Sequence, residues 1–232
     1  MHYNTSLNNH GLASDPFKAC VGPRPIAWVS TISKDGKDNL APFSQFNNLS
    51  FDPPMVMLSM QHGGSEENSY RKDTLNNIEE TGYFVYNIVP LALKDQMNLT
   101  ARPGDDDEFE RAGLTKADCI QVPCHRVAES PIQMECEYVT TVRLPGANPM
   151  SSSDLVIGRV VCIHVDENYV LPNGKLDILK LRPLARLGYA DYTSVTDVFE
   201  MRAASFMKTP IPGGYGWMSP ESLKLDPTHK NL

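Results

Sequence analysis

Long apolar runs and an excess of basic residues are both missing from this sequence of 232 residues. No apolar run approaches the ~18 residues that a membrane-spanning helix needs. The net charge is −7 and the pI is about 5.3, so the sequence lacks the charge signature of a protein that binds nucleic acid or anionic membranes. The opening segment "MHYNTSLNNHGL" has no signal-peptide pattern. We therefore expect a cytoplasmic protein that binds neither membrane nor nucleic acid.

Cysteine is scarce, and its spacing excludes a disulfide framework. The five cysteines are odd in number and scattered along the chain. The tightest group, Cys119, Cys124 and His125, lacks the second close ligand pair that a zinc site needs. We therefore predict small buried thiols and no metal site. His164, in "VVCIHV", is expected to be a hydrogen-bonded strand residue and not a ligand.

Self-sufficient catalytic motifs are also absent. The sequence contains no G-x-S-x-G, no H-E-x-x-H and no Walker loop, and its six histidines show no pairing at helical spacing. Nothing in the chain activates a nucleophile of its own. A bound cofactor that carries the chemistry would account for this absence.

The segments that are present predict a mostly β fold. Residues 24–33, "RPIAWVSTIS", are rich in β-branched residues and are typical of a strand, a second strand begins near Leu40, and a double proline precedes a third, "MVMLSM". The segment "YFVYNIV", residues 132–144 and residues 154–165 add further strands, and "ENYVLPNGKLDI" predicts a hairpin. Many strands at short spacing indicate a β-barrel.

Helices are predicted at three places between these strands. The first begins with Asp73 or Thr74 as its N-cap and ends at Gly82. The segments "LALKDQMNLTA" and "DDDEFERAG" are typical of two further short helices, which would be insertions into the barrel.

The segment "SYRKDT" predicts a phosphate site. Lys72 directly precedes the N-terminus of the first predicted helix, where free backbone N–H groups and the helix dipole favour an anion. Exposed charges in front of a helix are the alternative interpretation. Two neighbouring segments rich in short hydrogen-bonding side chains, "WVST" and "FSQFNNLS", favour a phosphorylated ligand with a polar chain, because buried polar groups need partners.

These segments resemble, in order, those of the flavin reductase-like family. The resemblance covers about residues 15–205 and is carried by "GPRPIAWVST", "NLAPFSQFNNLSFDPP", "MVMLSM", "KDT", "DEFERAGLT" and "RPLARLGY". It implies a six-stranded Greek-key split β-barrel with helical insertions, a homodimer, and FMN near the dimer interface. Residues 1–14 would then be an N-terminal extension. Residues 206–232 would be a C-terminal tail packed on the dimer partner.

The resemblance also implies the residues that bind FMN. Four strand residues would lie along the flavin and its ribityl chain, four residues of the next segment would contact the same ligand, one would lie near the isoalloxazine ring, and three would hold the phosphate: Trp28, Val29, Ser30, Thr31; Ser44, Phe46, Asn47, Ser50; Ser59; Lys72, Asp73, Thr74. Arg24 is left open as a structural, interfacial or phosphate-binding residue. No catalytic residue is assigned.

The resemblance leaves two functions open. The first is an FMN-dependent oxidoreductase that takes hydride from NAD(P)H, or electrons from a protein donor, and works with a flavin-dependent oxygenase or an electron-transfer protein. The second is an FMN-binding electron carrier or sensor without NAD(P)H turnover. Short two-component flavin reductases often carry Gly-Asp-His where this chain has "PMSSSDLVIGRV", which removes the histidine associated with nicotinamide chemistry. A third reading, a barrel without FMN, conflicts with the intact "WVST", "FSQFN" and "KDT" segments.

Overall fold

The computed structural model describes residues 1–65, 67–104 and 106–201, so the predicted C-terminal tail, 206–232, lies outside the described residues. The strands are β1 Arg24–Pro25, β2 Ala27–Ile32, β3 Asp38–Phe43, β4 Phe46–Phe51, β5 Pro54–Gln61, β6 Gly63–Gly64, β7 Ser69–Tyr70, β8 Tyr83–Asn87, β9 Lys116–Asp118, β10 His125–Val127, β11 Ile132–Leu144, β12 Ser153–Val165, β13 Leu184–Gly188 and β14 Asp191–Ser194.

The helices are short and lie between the strands. They are α1 Phe17–Cys20, α2 Asp73–Thr81, α3 Lys94–Thr100, α4 Glu108–Ala112 and α5 Ile178–Leu181, with single 3₁₀ turns at Leu91–Leu93, Pro149–Ser151 and Glu167–Tyr169. Within the described residues, none of the helices is long and apolar enough to cross a membrane.

The main sheet closes on itself. Its order is β3-β2-β8-β11-β12-β5-β4, and each neighbouring pair is antiparallel. Strands β3 and β4 are consecutive in the chain, yet they lie at opposite edges of this sheet. Only Ser44 and Gln45 separate them, a link that spans at most ~11 Å. The two edges must therefore come together, and the sheet curls into a barrel that is split between β3 and β4.

The main sheet of the described chain has seven strands where the sequence predicted six. Strand β4 lies at one end of the strand order and, within the described residues, pairs with β5 alone. Its sequence, "FNNLSF", alternates in no simple way, because Asn47, Asn48 and Leu49 are all exposed and the pairing shifts register between Asn48 and Ser50. A strand with a bulge is not predicted by the alternation of apolar and polar residues, because the extra residue interrupts that alternation.

Strand β2 is buried on both faces. Ala27 and Val29 point into the barrel, where they join a core that includes Leu75 and Ile78 of α2. Trp28 points outward into a second core formed with α3 and α4. This double cover explains the uninterrupted run of buried residues in β2 and the helical insertions that the sequence predicted.

The N-cap of helix α2 lies one residue before the first of the two predicted caps. Lys72 is the N-cap residue, with an extended backbone and no capping bond from its side chain, so the prediction that Asp73 or Thr74 caps the helix was wrong. Thr74 is buried, and its hydroxyl accepts a hydrogen bond from Asn39 at 2.9 Å. The predicted end is confirmed, because Gly82 adopts the left-handed conformation at φ +84°.

The hairpin predicted after β12 is present in a minimal form. A 3₁₀ turn at Glu167–Tyr169 is followed by a single antiparallel bridge between Val170 and Leu176, supported by a bond from the Leu171 N–H to the Lys175 carbonyl, and then by helix α5. Gly174 in the turn has a φ of +80°. The flanking residues are mostly exposed, so no buried face supports a longer ladder.

Candidate functional site

A cavity of about 430 Å³ lies at the split of the barrel. We call it the split cavity. Its walls come from the end of β3, the β3–β4 link, the end of β5, the residues just after β5, the start of α2 and the 3₁₀ turn before β12, and the residues are Pro42, Phe43, Ser44, Gln45, Ser59, Gln61, His62, Gly64, Lys72 and Met150. The volume is in the range of small-molecule binding sites.

Lys72 is the cationic group of this cavity. In the described part of the chain its ammonium makes no ion pair or hydrogen bond, and its one aromatic contact is Tyr70, whose ring centroid is 5.7 Å from Nζ. The residue also forms the N-terminal end of α2, where the first N–H groups of a helix lack acceptors within the helix. An anion in the cavity would therefore meet both an uncompensated positive charge and the positive end of a helix dipole.

The neighbouring Arg71 is fully engaged. It makes a two-fold contact with Glu79 at 2.7 and 2.7 Å and a third bond to Asp154 at 3.2 Å. The bond from Arg71 holds the pKa of Glu79 below its usual value. Of the two cations in "SYRKDT", only Lys72 is free to bind a ligand.

His62 is fixed at the wall of the split cavity. Its Nε2 lies 2.8 Å from Oδ2 of Asp154, and its Nδ1 lies 3.4 Å from the hydroxyl of Ser69. Asp154 is buried and also receives the bond from Arg71, so the ring is held by a chain of groups that reaches back to α2. Both ring nitrogens face protein atoms.

Three of the predicted flavin contacts line the split cavity, namely Ser44, Ser59 and Lys72. Five others lie close to it in the chain but do not line it. Phe46 packs against Tyr86 with ring centroids 4.7 Å apart, while Asn47 and Ser50 belong to the edge strand β4. Asp73 is exposed in the first turn of α2, and Thr74 is buried beneath it.

The structure does not bring the side chains of Trp28, Val29, Ser30 and Thr31 to the cavity. All four are buried in protein contacts. The indole N–H of Trp28 donates to Thr100 at 2.8 Å, and the hydroxyl of Ser30 donates to the carbonyl of His125 at 2.6 Å. The hydroxyl of Thr31 accepts bonds from two asparagine side chains, at 3.3 and 3.0 Å. The polar groups of "WVST" are thus satisfied by the protein itself.

Sequence reasoning missed seven residues of the cavity: Pro42, Phe43, Gln45, Gln61, His62, Gly64 and Met150. Gln61 and His62 directly follow the strand "MVMLSM", so the rule that sites gather at strand ends could have found them. Met150 comes from a distant turn, and no signal in the sequence places it there.

Arg24 lies away from the split cavity. It stands opposite Arg186 in the β1–β13 pair and donates to the carbonyl oxygens of Lys18 and Val21. Among the described residues its Nε is buried without a partner. Of the three roles left open by the sequence, these contacts favour the structural one.

Cys119 and Cys124 pack in one small apolar cluster, in agreement with the buried thiols that the sequence predicted. His125 turns away to Asp38, with Nδ1 2.8 Å from the carboxylate. Cys124 is buried and Cys119 half-buried, and burial raises the pKa of each thiol to about 12. His164 is a hydrogen-bonded strand residue as predicted, with Nε2 2.5 Å from Oε1 of Glu135.

Comparison with known proteins identifies the family. The model of the flavin reductase like domain matches residues 22–181, more than half of the chain, and the chain belongs to this family. An uncharacterized protein of Aquifex aeolicus is 36% identical over 170 residues, which are 72% of this chain and 82% of that protein.

Solved structures agree with this assignment. Nitrilotriacetate monooxygenase component B from Bacillus cereus superimposes with a TM-score of 0.77 and 31% identity, covering 87% of this chain and 99% of that one. A protein with a split barrel domain from Shewanella frigidimarina gives a TM-score of 0.73 at 23% identity, covering 88% and 100%. The predicted mostly β split-barrel fold is confirmed, and the chain is a member of a family of flavin-related oxidoreductases.

Proposed function

We propose that this protein is an FMN-binding oxidoreductase that receives hydride from NAD(P)H at the split cavity. The observation that carries the proposal is Lys72, an ammonium group without a counter-ion among the described residues, which stands in the wall of a cavity at a helix N-terminus. Membership of the flavin reductase-like family supports a flavin cofactor, and the position of Lys72 at a helix N-terminus supports phosphate binding there.

The residues present fit FMN. Lys72 and the first N–H groups of α2 would hold the phosphate, and the hydroxyls of Ser44 and Ser59 would face the polar part of the ligand. Bound FMN would accept a hydride at N5. The protein would hold the flavin in place and shield one side of it, while Gln45 and Gln61 offer polar atoms at the same wall.

FMN is proposed over FAD because the anion site ends at one helix. The sequence contains no Gly-rich pyrophosphate turn of the type G-x-G-x-x-G. Gly63 and Gly64 instead let the backbone run close to the side chains of Tyr70 and Lys72. A Cβ on Gly63 would lie 2.7 Å from the Tyr70 ring and 3.0 Å from Nζ of Lys72. Chromatography of the cofactor released by denaturation tests this, and recovery of FAD alone would contradict it.

A homodimer is proposed from the exposed surface of the barrel. Strands β11 and β12 expose Val139, Val142, Leu144 and Ile163 on the outside of the barrel. Such surface needs cover, and obligate interfaces commonly bury ~2,000 Å² or more. Sedimentation at micromolar concentration should give a species of twice the 25.8 kDa chain mass. A species of the single-chain mass alone would contradict the dimer.

A second candidate, an FMN-binding electron carrier or sensor, is favoured by His62. Both nitrogens of this ring already contact Asp154 and Ser69, so the imidazole of His62 is not free to assist a nicotinamide. The Gly-Asp-His segment of two-component reductases is also absent from the sequence.

Anaerobic reduction separates the two candidates. The full-length protein as purified is expected to be yellow, and addition of NADH or NADPH should bleach the flavin absorbance. A flavin that stays oxidised with both nucleotides but is reduced by dithionite would overturn hydride transfer from NAD(P)H and support the carrier. The B. cereus neighbour is component B of a monooxygenase, so an oxygenase component is the partner to add next.

A further inference from the structure

Glu135, Cys162 and His164 meet on one face of the β11–β12 hairpin. Glu135 and Cys162 stand directly opposite each other in the ladder, and His164 follows two residues after Cys162. Directly paired residues, and residues two apart on one strand, share a face of a sheet. One potential ligand atom from each side chain lies within 4.8 Å of the other two.

The ring nitrogen of His164 distinguishes this group from a nucleophilic triad. Nε2 lies 2.5 Å from Oε1 of Glu135 and 3.9 Å from Sγ of Cys162. A catalytic triad uses the two ring nitrogens separately, one for the nucleophile and one for the acid. Here a single nitrogen faces both partners, so the three ligand atoms converge on one point, as they do around a metal ion.

Glu135 gives this point its negative charge. Its side chain is 0% exposed and accepts three backbone N–H bonds, from Ile120, Gln121 and Val122 at 2.8, 2.7 and 3.0 Å. Within the described residues it has no lysine or arginine partner, and its ionisable neighbours in the group are His164 and Cys162.

A second cavity, of about 340 Å³, gives access to the group. We call it the hairpin cavity; His164, Gln133, Asp166 and Tyr169 are among its lining residues. The hairpin cavity is far from the split cavity. Asp154 bonds to His62 at the split cavity, Cys162 belongs to the group described here, and the two residues are separated by roughly 26 Å along β12 at about 3.3 Å per residue. A water molecule from this cavity could occupy a fourth coordination position.

We propose that Cys162, His164 and Glu135 form a zinc site that opens into the hairpin cavity. Sulfur, imidazole nitrogen and carboxylate oxygen are the donor set of Zn²⁺, and three protein ligands plus water form its open tetrahedral arrangement. Tetrahedral ligand atoms lie roughly 3.3–3.6 Å apart at zinc bond lengths, so the observed 3.9 and 2.5 Å separations need adjustments of less than about 1 Å. Binding releases the thiol proton of Cys162 and leaves the His164 proton on Nδ1.

Zinc binding to the full-length, metal-stripped protein tests the proposal. Equilibrium dialysis against micromolar Zn²⁺ should give one ion per chain, and Co²⁺ should produce a thiolate charge-transfer band in the metal-minus-metal-free difference spectrum. Cys162→Ser should abolish the band and weaken Zn²⁺ binding about a hundred-fold or more, since even changes in outer-shell partners cost ten- to hundred-fold. His164→Asn should weaken binding to a similar extent.

The matched control is Cys20→Ser, because Cys20 is an exposed thiol outside the group. This variant should bind Zn²⁺ as the wild type does. Binding far below one equivalent in the wild type, or equal affinity in the Cys162→Ser variant and the wild type, would overturn the proposal. Melting temperature and flavin content serve as fold controls, and neither should change in Cys162→Ser. This test is independent of the flavin proposal, since no residue of the zinc group lines the split cavity.

Discussion

The split cavity and the hairpin cavity each contain a histidine that is bonded to a buried carboxylate, yet the charged residues around the two pairs differ. His62 meets Asp154 at 2.8 Å, and His164 meets Glu135 at 2.5 Å. Asp154 also accepts a hydrogen bond from Arg71, and the split cavity is lined by Lys72, which has no ion pair among the described residues. Glu135 has no lysine or arginine bonded to it in the described part of the chain, and the cation of its cavity, Arg126, is accompanied there by Glu129 and Asp166. A histidine–carboxylate pair therefore suits an anion in one cavity and a cation in the other, depending on the charged residues around it.

Removal of Glu135 should have the largest effect. Glu135→Ala leaves three partly or fully buried N–H groups without an acceptor, and we expect a loss of about 3–5 kcal/mol in the free energy of unfolding. Chemical denaturation measures it. Glu137→Ala, two residues along β11 in an exposed ion pair with Arg159, should cost less than about 1 kcal/mol. Equal costs for the two variants would show that Glu135 does not hold the loop.

Removal of the cation from the split cavity should have the next largest effect. Lys72→Ala should weaken FMN binding about ten- to hundred-fold, because a charge-assisted bond to phosphate is worth roughly 1.5–3 kcal/mol. Titration followed by flavin fluorescence measures it. Lys72→Arg should recover part of the loss, since a planar fork replaces a compact ammonium poorly.

Two controls sharpen this test. Riboflavin has no phosphate, so its affinity should be almost unchanged by Lys72→Ala. Lys34→Ala removes an exposed lysine outside the cavity and should leave FMN affinity unchanged. If Lys72→Ala weakens FMN and riboflavin equally, or neither, then Lys72 does not bind the phosphate.

The smallest expected effect concerns pH and the Arg71–Glu79 pair. The bond from Arg71 lowers the pKa of Glu79 in the folded protein. The charged carboxylate therefore stabilises the fold at pH values above the ordinary pKa of 4.5, and this stabilisation is lost as the pH falls below that value. We expect wild type to lose up to about 1 kcal/mol more than Glu79→Gln between about pH 5 and 3, since the pair is partly exposed. Parallel stability curves for the two proteins would contradict this.

Regular alternation made most of the barrel predictable from the sequence. Strand β11 has the predicted bounds, Ile132–Leu144, and β12 begins one residue before its predicted start. Gly82 ends α2 as predicted, because a left-handed turn there favours glycine. Each of these signals is local, and a local signal is visible in a single sequence.

The groups that face each other across strands could not be predicted. Glu135 meets His164 because the β11–β12 ladder places Glu135 opposite Cys162, two residues before His164, and a single sequence does not reveal which residues of two strands are paired. The residues that line the split cavity likewise come together only in the folded chain. Lys72 carried a helix-start signal, whereas the polar side chains of Trp28, Ser30 and Thr31 bond to other parts of the protein, and the predicted flavin contacts of "WVST" stay a prediction.

The two-residue link at Ser44 and Gln45 couples ligand supply to the lifetime of the protein. These residues hold the two edges of the sheet together and also form a wall of the split cavity. The cavity is therefore lost when the barrel opens. A ligand held there stabilises only the closed barrel, by about 2.7 kcal/mol at a hundred times its dissociation constant. We therefore expect the cell to degrade the flavin-free chain faster, so that abundance of the protein follows abundance of its ligand.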